Sequence, residues 1–340
     1  MPMPPRWLRR LLLGPAVVFL AGLVLTTLPV WLLLAAAVSP LVPGHLRPLR
    51  LLWIAVVYLV WDAAALVALF VLWLASGFGR WARSQAFQRA HYVLAGWFLT
   101  VLFWQARWTL RLRIEVVGTD PDTAQPGRPE LVVCRHAGPG DSFILIHALV
   151  NWFDREPRIV LKDSLQWDPA VDVLLNRLPN RFIAPGGEGG PPLEEHVGQL
   201  ATGLDDNDAF VIFPEGGNFT PGRRTRAIDR LRALGLEKMA QRAEAMRHVL
   251  APRPGGLLAA LDAAPDAGVV FVAHTGLDRM LTAADVWREL PMDKQITMRF
   301  WSVPREEVPA GRQQRIDWLY DWWARIDEWI EANRTLVPGK

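Results

Sequence analysis

Two side chains able to move a proton, His136 and Asp141, stand five residues apart in Leu131-Val-Val-Cys-Arg-His136-Ala-Gly-Pro-Gly-Asp141-Ser-Phe. A carboxylate on one ring nitrogen fixes the imidazole tautomer and supports positive charge on the ring. The other nitrogen is then free to take a proton from a hydroxyl. On a continuous helix five residues turn about 500°, which would carry the two side chains apart. Gly138-Pro139-Gly140 breaks any helix and permits a tight turn that returns the carboxylate to the imidazole. Taken alone, the same pair also reads as a helix N-cap at Asp141 beside a polar loop residue.

A second polar turn follows an apolar run in Ala209-Phe-Val-Ile-Phe213-Pro-Glu215-Gly216-Gly217-Asn218-Phe-Thr220. It offers a carboxylate and open backbone N–H groups, which suit a polar or anionic headgroup. Together, H-x-x-x-x-D after one strand and F-P-E-G after a later one, behind an apolar N-terminus, resemble the glycerolipid acyltransferase family. Lysophosphatidic acid acyltransferase is its best-known member. The resemblance covers roughly Arg111 to Val303, and Met246-Arg-His-Val-Leu-Ala-Pro-Arg253 is similar to the "HVL-x-PR" stretch of the long-chain lysophospholipid branch.

The resemblance implies His136 as general base on an acceptor hydroxyl and Asp141 as its orienter. The hydroxyl would attack the thioester of an acyl-CoA or acyl-carrier protein, with no covalent acyl-enzyme and no cofactor beyond that co-substrate. The implied acceptor is a lysophospholipid, first among them 1-acylglycerol 3-phosphate. A different lysolipid or glycolipid, or a non-catalytic lipid-binding member of the fold, is the alternative. Glu215 and Gly216 would bind the headgroup, and Lys162 stands where the family often has a basic residue.

The chain departs from the family at three places. Arg135-His136 replaces N-H, Gly217-Asn218 replaces the T-R that follows F-P-E-G, and Phe182-Ile183-Ala184-Pro185 replaces F-I-D-R. The missing arginine of T-R is a phosphate ligand in the family. Arg135, Arg181, Arg223 or Arg224 could stand in, with Asn218 at the altered position, although each arginine also reads as surface charge.

The elements that must hold these residues alternate. Strands are expected at 111–118, 131–134, 158–161, 181–184, 210–213, 269–273 and 295–303. Helices are expected at 141–153, 169–177, 193–204, 223–250, 256–264 and 313–333. This pattern predicts an α/β domain with a mixed, largely parallel sheet flanked by helices, at 111–335. The 223–250 helix is arginine-rich and reads as a solvated face, or as a surface for anionic lipid or coenzyme A phosphates. His274, after the 269–273 strand, could face the site, but a lone histidine is more often structural and it is given no role. Trp322 and Trp329 share a face with Ile326, which points to core packing.

Charge and hydropathy divide the chain. The overall net charge is +3, but residues 1–114 hold eleven arginines and one acid, a net of +10, leaving −7 for the remaining 226. Leu11–Val38 carries no charge, and Leu51–Ser76 carries only Asp62, to which no role is assigned. These stretches predict a two-helix membrane anchor at 1–80, with Pro15 and Pro29 as candidate kinks. Either both helices span, or they form a hairpin dipping into one leaflet. Two spans would put Arg6, Arg9 and Arg10 on the same side as Arg80, Arg83 and Arg89, in the cytoplasm by the positive-inside rule. The expected location is therefore the cell membrane, with the catalytic domain on its cytoplasmic side. Residues 81–110 follow as an interfacial or linking helix, with Trp97, Trp104 and Trp108 among arginines.

Basic residues beside apolar sequence favour anionic membrane phospholipids over nucleic acid as partner. A single cysteine, Cys134, excludes a disulfide framework and a cysteine zinc site. No G-x-S-x-G occurs, which argues against a serine hydrolase.

Overall fold

The computed structural model describes residues 3–118, 126–138, 140–183, 193–276, 283–289 and 293–334. Pro139, Ala184 and Pro185 lie outside them. The chain divides into two units. The first comprises Met1–Leu112, Ile159–Gly190 and Glu289–Asp293; the second comprises Arg113–Arg158, Pro191–Arg288 and Lys294–Lys340.

The first unit opens with two long helices, α1 (Arg6–Val38) and α2 (Arg47–Ala75). By length and composition both could cross a membrane. Helix α1 continues through Pro15 and Pro29. A short 3₁₀ turn at Ser39–Leu41 and the left-handed backbone at Gly44 and Leu46 reverse the chain between them. Helix α3 (Gln85–Leu110) buries Tyr92, Ala95, Leu99 and Phe103 and exposes Val93, Trp97, Trp104 and Trp108.

The N-terminal end of α1 is tied down within this unit. Arg9 is buried, and its guanidinium donates to Asp172 at 3.0 Å and to Gln166 at 2.9 Å; Arg10 donates to the other oxygen of Asp172 at 2.8 Å. Asp172 belongs to helix α5 (Pro169–Leu175), whose N-terminus is capped by the Asp168 carboxylate accepting from Val171 N–H at 2.9 Å.

Among the described residues the second unit is built on five strands: β1 (Arg113–Gly118), β2 (Glu130–Cys134), β5 (Asp208–Ile212), β6 (Gly268–Thr275) and β7 (Gln295–Val303). Their order is β1-β7-β6-β2-β5, and only β6 and β7 run antiparallel. Strands β2, β5 and β6 are buried along their whole length, which is why they read as unbroken apolar runs instead of alternating ones. Strand β3 (Glu156–Lys162) begins in this unit and ends in the first, where it pairs in parallel with β4 (Arg181–Ile183).

Helices α4 (Asp141–Asn151), α6 (Leu193–Ala201), α7 (Pro221–Ala233), α8 (Glu237–Ala245), α9 (Pro254–Ala263), α10 (Ala283–Glu289) and α11 (Arg312–Asn333) complete the unit. Helix α11 covers β6: the Trp322 ring stacks on Phe271 at 4.5 Å, and Trp323 is fully buried. The single helix expected over 223–250 is two, because Gly235 takes a left-handed φ of 72° and ends the first. From Met246 to Leu250 the chain is not helical, so the expected helix also ends early.

Candidate active site

Parallel strands deliver their C-terminal loops to one edge of a sheet, and this brings the two motifs together. Val133 of β2 lies opposite Ile212 of β5, so His136 and Glu215, each three residues further on, arrive side by side. The Glu215 carboxylate then accepts the backbone N–H of His136 at 3.2 Å. Phe219 N–H returns a bond to the His136 carbonyl at 2.8 Å.

Asp141 is the first residue of α4, and the turn before it folds its carboxylate back onto the imidazole as the glycines predict. His136 Nδ1 lies 3.0 Å from Oδ2 and 3.1 Å from Oδ1 of Asp141. An ionised carboxylate has no proton to give, so Nδ1 carries the hydrogen and Nε2 is left as acceptor. The Phe213 ring packs against the imidazole at 4.8 Å and fixes its plane. Asp141 is itself buried and accepts from Ala137 N–H at 2.6 Å, Gly138 N–H at 3.0 Å and Ser142 N–H at 2.6 Å. Burial opposes its charge, but the hydrogen bond from His136 and the nearby imidazole of His274 win and hold the carboxyl well below the usual carboxylate range.

Glu215 is buried too, and its second oxygen accepts Leu250 N–H at 3.1 Å. Burial pushes its carboxyl up to about 8, against the Arg135 charge and the two N–H donors. Its oxygens thus tie three chain segments together beneath the turn. Arg135 is fully buried alongside, with its guanidinium donating to the His274 carbonyl at 2.8 Å. Cys134 is equally enclosed, and burial raises its thiol well above the ordinary value, so it offers no thiolate.

Two arginines flank the surface of the turn. Gly216 has φ of 67°, and a Cβ there would sit 3.0 Å from the Arg253 guanidinium. A Cβ on Gly217 would lie 3.1 Å from Arg223, which also donates to the Asn218 carbonyl at 3.1 Å. Both guanidiniums are thus laid over bare backbone, and neither residue forms an ion pair among the described residues. Gly216 N–H is not open to a ligand, since it donates to the Phe213 carbonyl at 3.1 Å. Arg224 turns away to the carbonyls of Met246 and Glu244, both at 2.7 Å. Lys162 and Arg181 belong to the first unit, exposed at the end of β3 and half-buried on β4 respectively.

Two residues of this neighbourhood were not assigned a role from sequence. Arg253 was visible only inside a motif, with nothing local to aim it at Gly216. His274 reads as an isolated histidine, yet its Nε2 lies 3.6 Å from Asp141 Oδ2.

With this geometry in place, the family described as Acyltransferase matches residues 113–274, the stretch from β1 to the end of β6. The matched segment, just under half of the chain, is thus similar to acyltransferases and holds both motifs of the site. The fold is similar to that of the crystal structure of a 1-acyl-sn-glycerophosphate acyltransferase, PlsC, from Thermotoga maritima. The TM-score is 0.52 and the identity 14%, over 84% of this chain and 99% of that one. No curated protein sequence matches the chain significantly.

Proposed function

We propose that this acyltransferase moves an acyl group from a thioester, carried by coenzyme A or an acyl-carrier protein, to the hydroxyl of a lysophospholipid, with 1-acylglycerol 3-phosphate the first candidate. The observation that carries the reading is the 3.0 Å contact between His136 Nδ1 and Asp141, which leaves Nε2 to act as base. The acceptor oxygen attacks the thioester carbonyl carbon while His136 Nε2 takes its proton, and Asp141 stabilises the positive ring that forms. As the intermediate collapses the C–S bond breaks, the ring returns the proton to the thiolate, and an ester and a free thiol leave.

Arg223 and Arg253 support a phosphate-bearing acceptor. They lie over the turn that lacks the family's own arginine, and a guanidinium pair suits phosphate oxygens. The apolar helices α1 and α2 and the tryptophan face of α3 support a chain held at the cell membrane, where its acceptor resides. The arginines flanking the apolar stretches favour a cytoplasmic catalytic unit.

The test is acyl transfer by detergent-purified protein from labelled acyl-CoA to a panel of lysolipids, with a carrier-protein donor run in parallel. His136→Ala is expected to lose transfer by roughly 10²- to 10⁴-fold while remaining folded. Undiminished transfer by that variant overturns the assignment of the base. Transfer to a neutral lysolipid alone reassigns the acceptor.

A further inference from the structure

We propose that His274 is a positioning residue for the base, donating from Nε2 to the Asp141 carboxylate so that one carboxylate is held between two imidazoles. The inference rests on reading His136 as the base.

Strand β6 is apolar from Val269 to Ala273, and an imidazole then stands at 274, 1% exposed. Burying a polar ring without partners costs on the order of 1–3 kcal/mol, so an apolar residue would serve the core better. Neither ring nitrogen of His274 reaches a hydrogen-bond partner among the described residues. Its Nε2 instead stands 3.6 Å from Asp141 Oδ2, just beyond hydrogen-bond length, on the oxygen that lies 3.0 Å from His136 Nδ1. Catalytic hydrogen bonds are often long in a free enzyme and tighten when substrate binds.

The sheet explains the placement. Cys134 pairs with Val272 across the parallel β2–β6 ladder, and His136 and His274 each lie two residues beyond that pair. Arg135 donates to the His274 carbonyl and fixes the backbone from which the ring projects. The ring therefore flanks the carboxylate from the strand next to that of His136. Its N–H adds to the donors that keep Asp141 charged and in one rotamer, and so keeps the carboxylate aimed at His136 Nδ1.

Three substitutions test this. The side-chain nitrogen of Gln falls near the position of Nε2 and that of Asn near Nδ1, while Leu keeps the volume and has no donor. His274→Leu and His274→Asn are expected to lower kcat on the order of tenfold or more with KM nearly unchanged, as loss of an outer hydrogen-bond partner typically does. His274→Gln is expected to recover most of that loss. Wild-type kcat in His274→Leu, or equal losses in His274→Gln and His274→Asn, overturns the proposal. If His274→Leu does not fold, the Gln–Asn comparison decides alone. His136→Ala, run alongside, separates the two readings. Retained transfer there overturns the base and this inference together, whereas its loss with wild-type kcat in His274→Leu overturns this inference alone.

Discussion

Glu215 Oε1 accepts the backbone N–H of His136 at 3.2 Å, joining the two motifs through one hydrogen bond across 79 residues of chain. The acid of F-P-E-G thereby fixes the backbone that carries the proposed base, and its other oxygen fixes Leu250.

Replacing Glu215 by Ala strands two buried N–H groups, each worth about 1–3 kcal/mol when unsatisfied. Chemical denaturation is expected to show a loss of about 2 kcal/mol or more, with transfer activity falling even where the fold survives.

Glu215 also predicts a pH signature. Its folded-state value of about 8 lies above the ordinary 4.5, so its contribution to stability is complete below about pH 4.5 and lost as pH rises towards 8. Thermal unfolding from pH 5 to 9 should show this decline in the wild type. Glu215→Gln has no such proton to lose, and its curve should be flatter over the same window.

Asp141 works in the opposite sense. Its carboxyl is held below its ordinary 3.8, so its stabilisation is present above about pH 4 and disappears on further acidification. Asp141→Asn removes that acid limb. By favouring the wrong tautomer of His136 it should also lower kcat by roughly 10²- to 10⁴-fold. A kcat within a few-fold of wild type would show that Asp141 does not orient the base.

If Arg253 and Arg223 hold the acceptor phosphate, Arg253→Ala and Arg223→Ala should each raise KM for a phosphate-bearing acceptor by about tenfold, one charge-assisted contact each, with a smaller change in kcat. Arg253→Lys should recover little, because an ammonium lacks the planar fork. KM values unmoved by both would detach the arginines from acceptor binding.

Much of the second unit is legible along the chain because its cues are local. The 295–303 strand, the helix ending at Asn333 and the return of Asp141 to His136 all follow from apolar spacing or from glycine next to a polar pair. The split at Gly235 was missed because the arginines and apolar residues on either side keep helical spacing across it. The roles of Glu215, Arg253 and His274 depend on which strands and loops are neighbours. No local pattern states that β6 lies beside β2, so the place of His274 after a strand allowed it to face the site but could not tie it to Asp141, 133 residues earlier. Burial hides in the same way. Arg135 is an ordinary cation in the sequence and an interior one in the fold.

The bond between α1 and Asp172 makes the N-terminal helix part of the first unit's own structure and not a detachable tail. Cutting the chain after Val38 to gain solubility would leave Asp172, 1% exposed, without Arg9 or Arg10 inside its own unit. Removing one side of a buried ion pair costs about 3–5 kcal/mol, less here for the part that half-exposed Arg10 supplies. A soluble form is better sought by recolouring the exposed apolar surface of α1 with polar residues and leaving Arg9 in place.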